Sequence, residues 1–296
     1  NYLMWLVRKP LAHVRCGRVV MLKSSAYTTR SRSGDDSIQD LYDRLSSIPD
    51  IHSSSTHPAR CQTLTKCLDI MNHVTLSEVG LDKYDLSSLK ESICMSIYSS
   101  KKFDISLFIV PAGLAMPLHD HPNMAVLSKL LLGSALCTSY TKLQPMSTPA
   151  SHPVKLEHTD NASIPIDGPF FKRDVKVKDA DSDAWYLTPT DGNIHAIHAL
   201  KSDPPSDKTP PVVMLDVLLP PYDSLTRPCR FYTASAHPMW VPTASVGLEA
   251  DKPGDNFSDG DAHEWKWKKW MLEEVEEPTE LLPYGVQYRG SVPLQR

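Results

Sequence analysis

Residues 35–92 carry the hydrophobic spacing of amphipathic helices. Apolar side chains recur every three or four residues in two stretches, which is the period of one helix face. The stretches are Ile38, Leu41, Tyr42, Leu45 and Ile48, and then Leu64, Cys67, Leu68 and Met71. Thr75 and Glu78 match a capping box that would begin a further short helix. The sequence therefore predicts an N-terminal helical segment that packs on the rest of the protein.

From Ile93 onward the pattern changes to that of β-strands. Short apolar or alternating runs are separated by polar turns. The predicted strands are residues 93–98, 103–111, 126–132, 136–140 and 175–178. Residues 144–165, 201–211 and 241–262 are predicted to be long surface loops, the second of them joining its flanking strands as a hairpin. Residues 93–296 are therefore expected to form one mainly β domain.

Two histidines mark the centre of this β region. His119 and His121 lie two residues apart, and such positions in an extended chain point to the same face. Pro117 and Pro122 bracket the pair and disfavour a helix. The pair predicts two ligands of one metal ion, and two solvent-facing strand histidines are the alternative.

Composition indicates a soluble globular protein. The 296 residues are 41% hydrophobic and 22% charged, with a formal net charge of −4, which does not favour a nucleic-acid partner. No apolar run approaches the length of a membrane span. The cysteines follow no regular spacing, which argues against a disulfide framework and favours a reducing compartment. They are Cys16, Cys61, Cys67, Cys94, Cys137 and Cys229. We expect a cytoplasmic protein, with a monomer as the default.

Residues 1–34 differ from the rest of the chain in charge. They contain seven Lys or Arg residues and no Asp or Glu. This composition resembles a mitochondrial presequence, so a mitochondrial location is the alternative to the cytoplasm. A disordered basic leader is the competing interpretation.

The residues around the histidine pair resemble a known family. Gly113, His119, His121 and the long apolar strand that follows match the first motif of the cupin barrels, although Val126 stands where cupins usually carry a glutamate ligand. The His-Asp-His-Pro-x-Met string without that glutamate resembles the cysteamine (2-aminoethanethiol) dioxygenases and the plant cysteine oxidases. The resemblance implies a mainly β fold, a cupin (double-stranded β-helix, jelly-roll) barrel preceded by N-terminal α-helices.

Later blocks of the sequence extend the resemblance over roughly residues 60–290. Residues 192–195 (Gly-Asn-Ile-His) are similar to the family's second motif and imply His195 as the third metal ligand. His198 has the opposite strand parity and is expected to face outward. The strand around Asp216, the Pro-Pro-Tyr turn ending at Tyr222, and residues 227–232 match further family segments in the same order.

Three residues besides the histidines are implied to act in the site. We expect Asp216 to accept a hydrogen bond from a ligand imidazole or to hold a substrate amine, because a lone acid in an apolar strand is otherwise costly to bury. Tyr222 is expected either to line the pocket or to pack in its turn. Cys229 matches a cysteine that animal cysteamine dioxygenases link to a tyrosine two residues later. Phe231 stands there and Tyr232 has the wrong parity, so we expect no such crosslink.

The implied site has a definite chemistry. Three neutral histidines leave a divalent ion its full charge, which suits an anionic ligand such as a thiolate. The resemblance implies Fe(II) as cofactor and O2 as co-substrate, with oxidation of a thiol to a sulfinic acid. The implied substrates are cysteamine, which would give hypotaurine, and the N-terminal cysteine of a peptide or protein, whose oxidation would serve oxygen-dependent degradation. A three-histidine zinc hydrolase and a catalytically silent binding module remain as alternatives.

Overall fold

The computed structural model describes residues 37–48, 57–143, 170–204, 206, 208–238, 268–279, 281–288, 290 and 293. The basic segment 1–34 and the predicted loops 144–165 and 241–262 lie outside the described residues. The helices are α1 (Ser37–Ser46) and α2 (His57–Met71), followed by a 3-10 turn at Leu86–Ser88. The strands are β1 (Ile93–Ser99), β2 (Asp104–Val110), β3 (Ala115–Asp120), β4 (Ala125–Leu132), β5 (Ser134–Lys142), β6 (Phe171–Asp179), β7 (Trp185–Leu187), β8 (Ile194–Ala199), β9 (Val212–Leu219), β10 (Phe231–Pro238), β11 (Lys268–Val275) and β12 (Tyr284–Gly285).

The strands form two sheets that share an apolar interior. The first sheet has the order β12-β1-β2-β9-β4-β7, and the second has the order β10-β11-β6-β5-β8-β3 and closes on itself through a β3–β10 pairing. Alternate side chains of both sheets meet in one cluster. Phe108, Leu130 and Met214 come from the first sheet, and Met116, Ala135 and Ile197 from the second. The mainly β cupin fold predicted from the sequence is confirmed.

The two helices cover the outer face of the first sheet. Leu41, Leu45 and Met71 are fully buried there against side chains such as Leu107 and Leu215. Burying one such side chain contributes about 1.5–3 kcal/mol, so these apolar faces account for the docking of the helices. Both predicted helices are therefore present, with the predicted faces inward. In the part of the chain that is described, no helix is long and apolar enough to cross a membrane.

The short helix predicted from the capping box is wrong. The box itself forms, because Thr75 N donates to the Glu78 carboxylate at 2.8 Å and Glu78 N donates to the Thr75 hydroxyl at 3.3 Å. The segment remains a turn because Gly80 adopts a left-handed φ of 66°, which ends the right-handed coil after a single turn.

The predicted β8–β9 hairpin is also wrong. Strand β8 pairs with β3 and β5 in the second sheet, whereas β9 pairs with β2 and β4 in the first. The chain crosses from one sheet to the other between them. It makes a similar crossing at Gly133, between β4 and β5, where φ is 76° and a Cβ atom would collide with the carbonyl oxygen of Pro211.

Candidate metal centre

The structure brings His119, His121 and His195 together in the barrel interior. His119 lies near the end of β3 directly opposite His195 of β8, and His121 follows β3 by one residue. The three residues are only 4%, 3% and 2% exposed. One ligand atom from each lies within 4.8 Å of the others. These are the three residues that the sequence nominates as metal ligands.

Hydrogen bonds fix the tautomers of two of these imidazoles. His119 Nδ1 lies 2.8 Å from the carbonyl oxygen of Pro117, which can only accept, so Nδ1 carries the proton. The Tyr222 hydroxyl donates to the carbonyl oxygen of Asp120 at 2.7 Å and must therefore accept from His121 Nδ1, which is also 2.7 Å away. Both rings consequently present an unprotonated Nε2, the atom that binds a metal ion.

The electrostatics of the cluster also favour a cation. Burial lowers the pKa of His119, and burial with the neighbouring imidazoles lowers the pKa of His121 and of His195 well below its usual value. The rings are therefore neutral at physiological pH. His121 Nε2 and His195 Nε2 are 2.9 Å apart, which matches adjacent ligands on an ion with metal–nitrogen bonds of about 2.1 Å. This set of donors fits a divalent transition metal ion.

Asn193 holds the backbone of His121, a role that the sequence did not reveal. Its Nδ2 donates to the His121 carbonyl oxygen at 2.6 Å, and its Oδ1 accepts from the His121 N–H at 3.3 Å. Asn123, two residues after His121, has a φ of 57°, a left-handed conformation that asparagine tolerates better than most residues. These contacts set the tight turn that aims His121 inward.

Residues 68–292 match the model of the PCO_ADO family. The chain belongs to the PCO_ADO family. It is 26% identical over 263 residues to plant cysteine oxidase 2 of Arabidopsis thaliana, covering 86% of this chain and 82% of that protein. It is 30% identical over 166 residues to the 2-aminoethanethiol dioxygenase of Mus musculus, covering 54% of this chain and 60% of that protein. The family resemblance seen in the sequence is confirmed.

Solved structures with similar strands include two small barrels. A double-stranded β-helix protein from Klebsiella pneumoniae gives a TM-score of 0.27 at 15% identity, covering 45% of this chain and 81% of its own. A cupin superfamily protein from Desulfitobacterium hafniense gives a TM-score of 0.25 at 17% identity, covering 46% of this chain and 88% of its own. The strand order defines the barrel fold.

Asp216 of this PCO_ADO protein lies on the interior face of β9. It is directly opposite Ser106 of β2 and Ser128 of β4 and is 3% exposed. Burial and, to a smaller extent, the charge of Asp216 raise the pKa of Cys137, which pairs with Ile197 of β8. Burial raises the pKa of Asp216 to about 7. Its Oδ1 has no hydrogen-bond partner among the described residues, so the predicted bond to a ligand imidazole stays a prediction.

Tyr222 and Cys229 lie at the apolar wall beside His121. The Tyr222 ring is 6% exposed and packs with Met124 and Val126, and Cys229 packs against the same cluster. Val126, at the position of the missing cupin glutamate, is fully buried there. The side of the histidine cluster at His121 is therefore apolar.

Phe231, His198 and Tyr232 take the faces predicted from strand parity. Phe231 lies opposite His119 across the β3–β10 pair, with ring centroids 6.3 Å apart. Tyr232 lies on the other face of β10, where its hydroxyl donates to the Asp120 carboxylate at 3.0 Å. His198 is exposed on the outside of β8. Phe231 is not a tyrosine, and the absence of a cysteine–tyrosine crosslink at that position stays a prediction.

Proposed function

We propose that this chain is an iron-dependent thiol dioxygenase that combines R–SH and O2 to give R–SO2H. The observation that carries the proposal is the cluster of three buried, neutral histidines, two of which present an unprotonated Nε2 to the same interior point. Val126 at the place of the usual carboxylate supports a three-nitrogen site. Membership of the PCO_ADO family, with relatives named plant cysteine oxidase and 2-aminoethanethiol dioxygenase, supports the reaction type.

The side chains of this site would bind and orient rather than exchange atoms with the substrate. Iron held by the three imidazoles would supply the activation of dioxygen beside the substrate sulfur. Because all three ligands are neutral, the site favours the thiolate over the thiol. Tyr222 and Pro117 keep the ligand protons on Nδ1, away from the pocket. Met124 and Val126 exclude water from the same side.

The groups around the pocket favour a substrate with an amine close to the thiol. Asp216 with Ser106 and Ser128 offers a carboxyl and two hydroxyls on the interior face, suited to an ammonium group. Free cysteine would also need a partner for its carboxylate. The two arginines of the matched segment 227–232 are engaged elsewhere. Arg227 Nε donates to the Pro221 carbonyl oxygen at 3.1 Å, and Arg230 binds Asp120. Cysteamine and an N-terminal cysteine fit these constraints, and the latter would link the enzyme to oxygen-dependent protein turnover.

The test is mass spectrometry of products formed under heavy-isotope O2 by protein loaded with Fe(II). A peptide with an N-terminal cysteine and cysteamine are supplied in parallel. We expect two labelled oxygen atoms on the sulfur of at least one of them. Label on the peptide would identify a protein-cysteine dioxygenase, and label on cysteamine alone would identify a hypotaurine-forming enzyme.

Matched histidine variants locate the reaction. His195→Ala should abolish product, whereas His198→Ala, three residues away and exposed, should retain it. Label on neither substrate, with iron bound, would overturn the proposal and favour a zinc hydrolase or a binding module.

A further inference from the structure

Asp120, between His119 and His121, points away from the metal site and is held from several directions. Its Oδ1 accepts from the backbone N–H of Arg230 at 2.9 Å. Its Oδ2 accepts from Arg230 Nε at 2.9 Å, from Arg230 Nη2 at 2.8 Å and from the Tyr232 hydroxyl at 3.0 Å. Its backbone N–H donates to the carbonyl oxygen of Arg230 at 3.0 Å, and its carbonyl oxygen accepts from Tyr222.

The backbone around Asp120 is paired with β8 on one side but only briefly with β10 on the other. Strands β3 and β10 pair at a single position, His119 opposite Phe231. Towards β8, His119 and Asp120 pair with His195 and Ile194, beyond a register shift that follows Met116. Strand β3 then ends at Asp120, one residue before His121. Side-chain bonds from Asp120 therefore add to the short β3–β10 pairing and hold the end of β3 from the side opposite β8.

Burial makes these bonds strong. The Asp120 side chain is 3% exposed and the Arg230 side chain is 44% exposed, so a deeply buried carboxylate meets a charge that is itself partly hydrated. Charge-assisted bonds of this kind are shorter and stronger than neutral ones, and two guanidinium nitrogens fix the orientation as well as the distance. These bonds hold the end of β3 close to the start of β10.

We propose that Asp120, Arg230 and Tyr232 form a clamp, behind the imidazoles, that holds His119 and His121 at the spacing one metal ion requires. The two ligands flank the clamped residue, so a rotation of the backbone at Asp120 would change the position of one imidazole relative to the other. The three residues are positioning residues and do not contact the metal. The inference rests on the three-histidine metal site, whatever thiol the enzyme oxidises.

The test measures Co(II) affinity of metal-free protein by competition with a chelator, together with the visible absorption of the bound Co(II). In Asp120→Asn, an NH2 group replaces one carboxylate oxygen, and this group cannot accept hydrogen bonds from Arg230 or Tyr232. We expect its Co(II) affinity to fall about 10- to 100-fold, as for other residues that orient metal ligands. We expect Tyr232→Phe, which removes one of the bonds to Oδ2, to lower the Co(II) affinity by roughly a tenth of that factor. We also expect the visible absorption spectrum of Co(II) bound to Asp120→Asn to change in shape.

A surface ion pair provides the control. Asp174→Asn breaks the 2.9 Å pair with Lys176, in which both side chains are about half exposed or more, and should leave Co(II) affinity within about twofold. Urea unfolding of each metal-free variant shows whether it is folded under the titration conditions. If Asp120→Asn does not fold, Arg230→Lys and Tyr232→Phe carry the test. Folded clamp variants that bind Co(II) as wild type does, with an unchanged spectrum, would overturn the proposal. Because Co(II) binding is read without turnover, its outcome is separate from that of the thiol oxidation assay.

Discussion

Replacing Tyr222 with phenylalanine removes one hydroxyl from beside the metal site and leaves the packing of the ring in place. The hydroxyl is the acceptor for His121 Nδ1–H and the donor to the Asp120 carbonyl oxygen. Without it, the His121 proton has no acceptor at Nδ1 and can move to Nε2. His121 Nε2 lies 2.9 Å from His195 Nε2 and would then donate its proton in a hydrogen bond to it, which occupies the two lone pairs that a metal ion needs.

The expected loss of metal affinity follows from these bonds. A buried donor left without its partner costs about 1–3 kcal/mol. At about 1.4 kcal/mol for each tenfold change in a binding constant, metal binding should weaken by roughly 5- to 100-fold. We expect about tenfold, because the tautomer switch allows the ring to recover part of the lost energy.

Metal affinity of purified, metal-free protein is measured by chelator competition, and its unfolding free energy by urea titration. Tyr42→Phe is the matched control: Tyr42, on α1, is 7% exposed, close to the 6% of Tyr222, and it interacts with Tyr98 of β1. Both variants should lose about 1 kcal/mol of stability. Only Tyr222→Phe should lose metal affinity. Equal affinities for the two variants would refute the assignment of the His121 tautomer.

Three further predictions concern the interior and the fold. The stability of the metal-free wild-type protein should fall as the pH rises from 4 to 7, and Asp216→Asn should remove this fall. Burial raises the folded-state pKa of Asp216 from 3.8 to about 7, so the folded protein binds the extra proton in that range; urea unfolding at pH 8 should show the variant more stable by up to about 4 kcal/mol. Gly133→Ala should destabilise the protein by about 1–3 kcal/mol, measured in the same way, because φ is 76° and the new Cβ meets the Pro211 carbonyl. A divalent metal at a hundred times its dissociation constant should raise the unfolding free energy by about 2.7 kcal/mol in wild type and in His198→Ala, and by none in His195→Ala.

The parts of this fold that depend on neighbours in the sequence could be predicted from the sequence. Periodicity located the two helices and most strands, and strand parity put His119 and His195 inside and His198 outside. The capping box at Thr75 was also real as a set of hydrogen bonds, but one left-handed glycine prevented the helix from continuing. Local pattern therefore predicted local contacts well and element length less well.

The contacts that orient the metal ligands join residues far apart in the chain and were missed. Asn193 reaches the backbone of His121 across 72 positions, and Arg230 reaches Asp120 across 110. Nothing in a single sequence reports such pairings, because they depend on which strands become neighbours. The wrong β8–β9 hairpin has the same origin, since the choice between two sheets is made by tertiary packing.

Two carboxyl groups lie on strands that line the interior, and neither belongs to the three-histidine cluster. Asp120 is turned to the back of β3 and pairs with Arg230, and Asp216 lies on the opposite sheet between Ser106 and Ser128. At the position where a cupin glutamate would bind the metal, Val126 is buried. A carboxylate ligand would cancel half the charge of a divalent ion, whereas this arrangement leaves that charge to be balanced by an anion from outside the protein. The thiolate of the proposed reaction is such an anion, and the charge that the three neutral ligands leave on the ion would favour its binding.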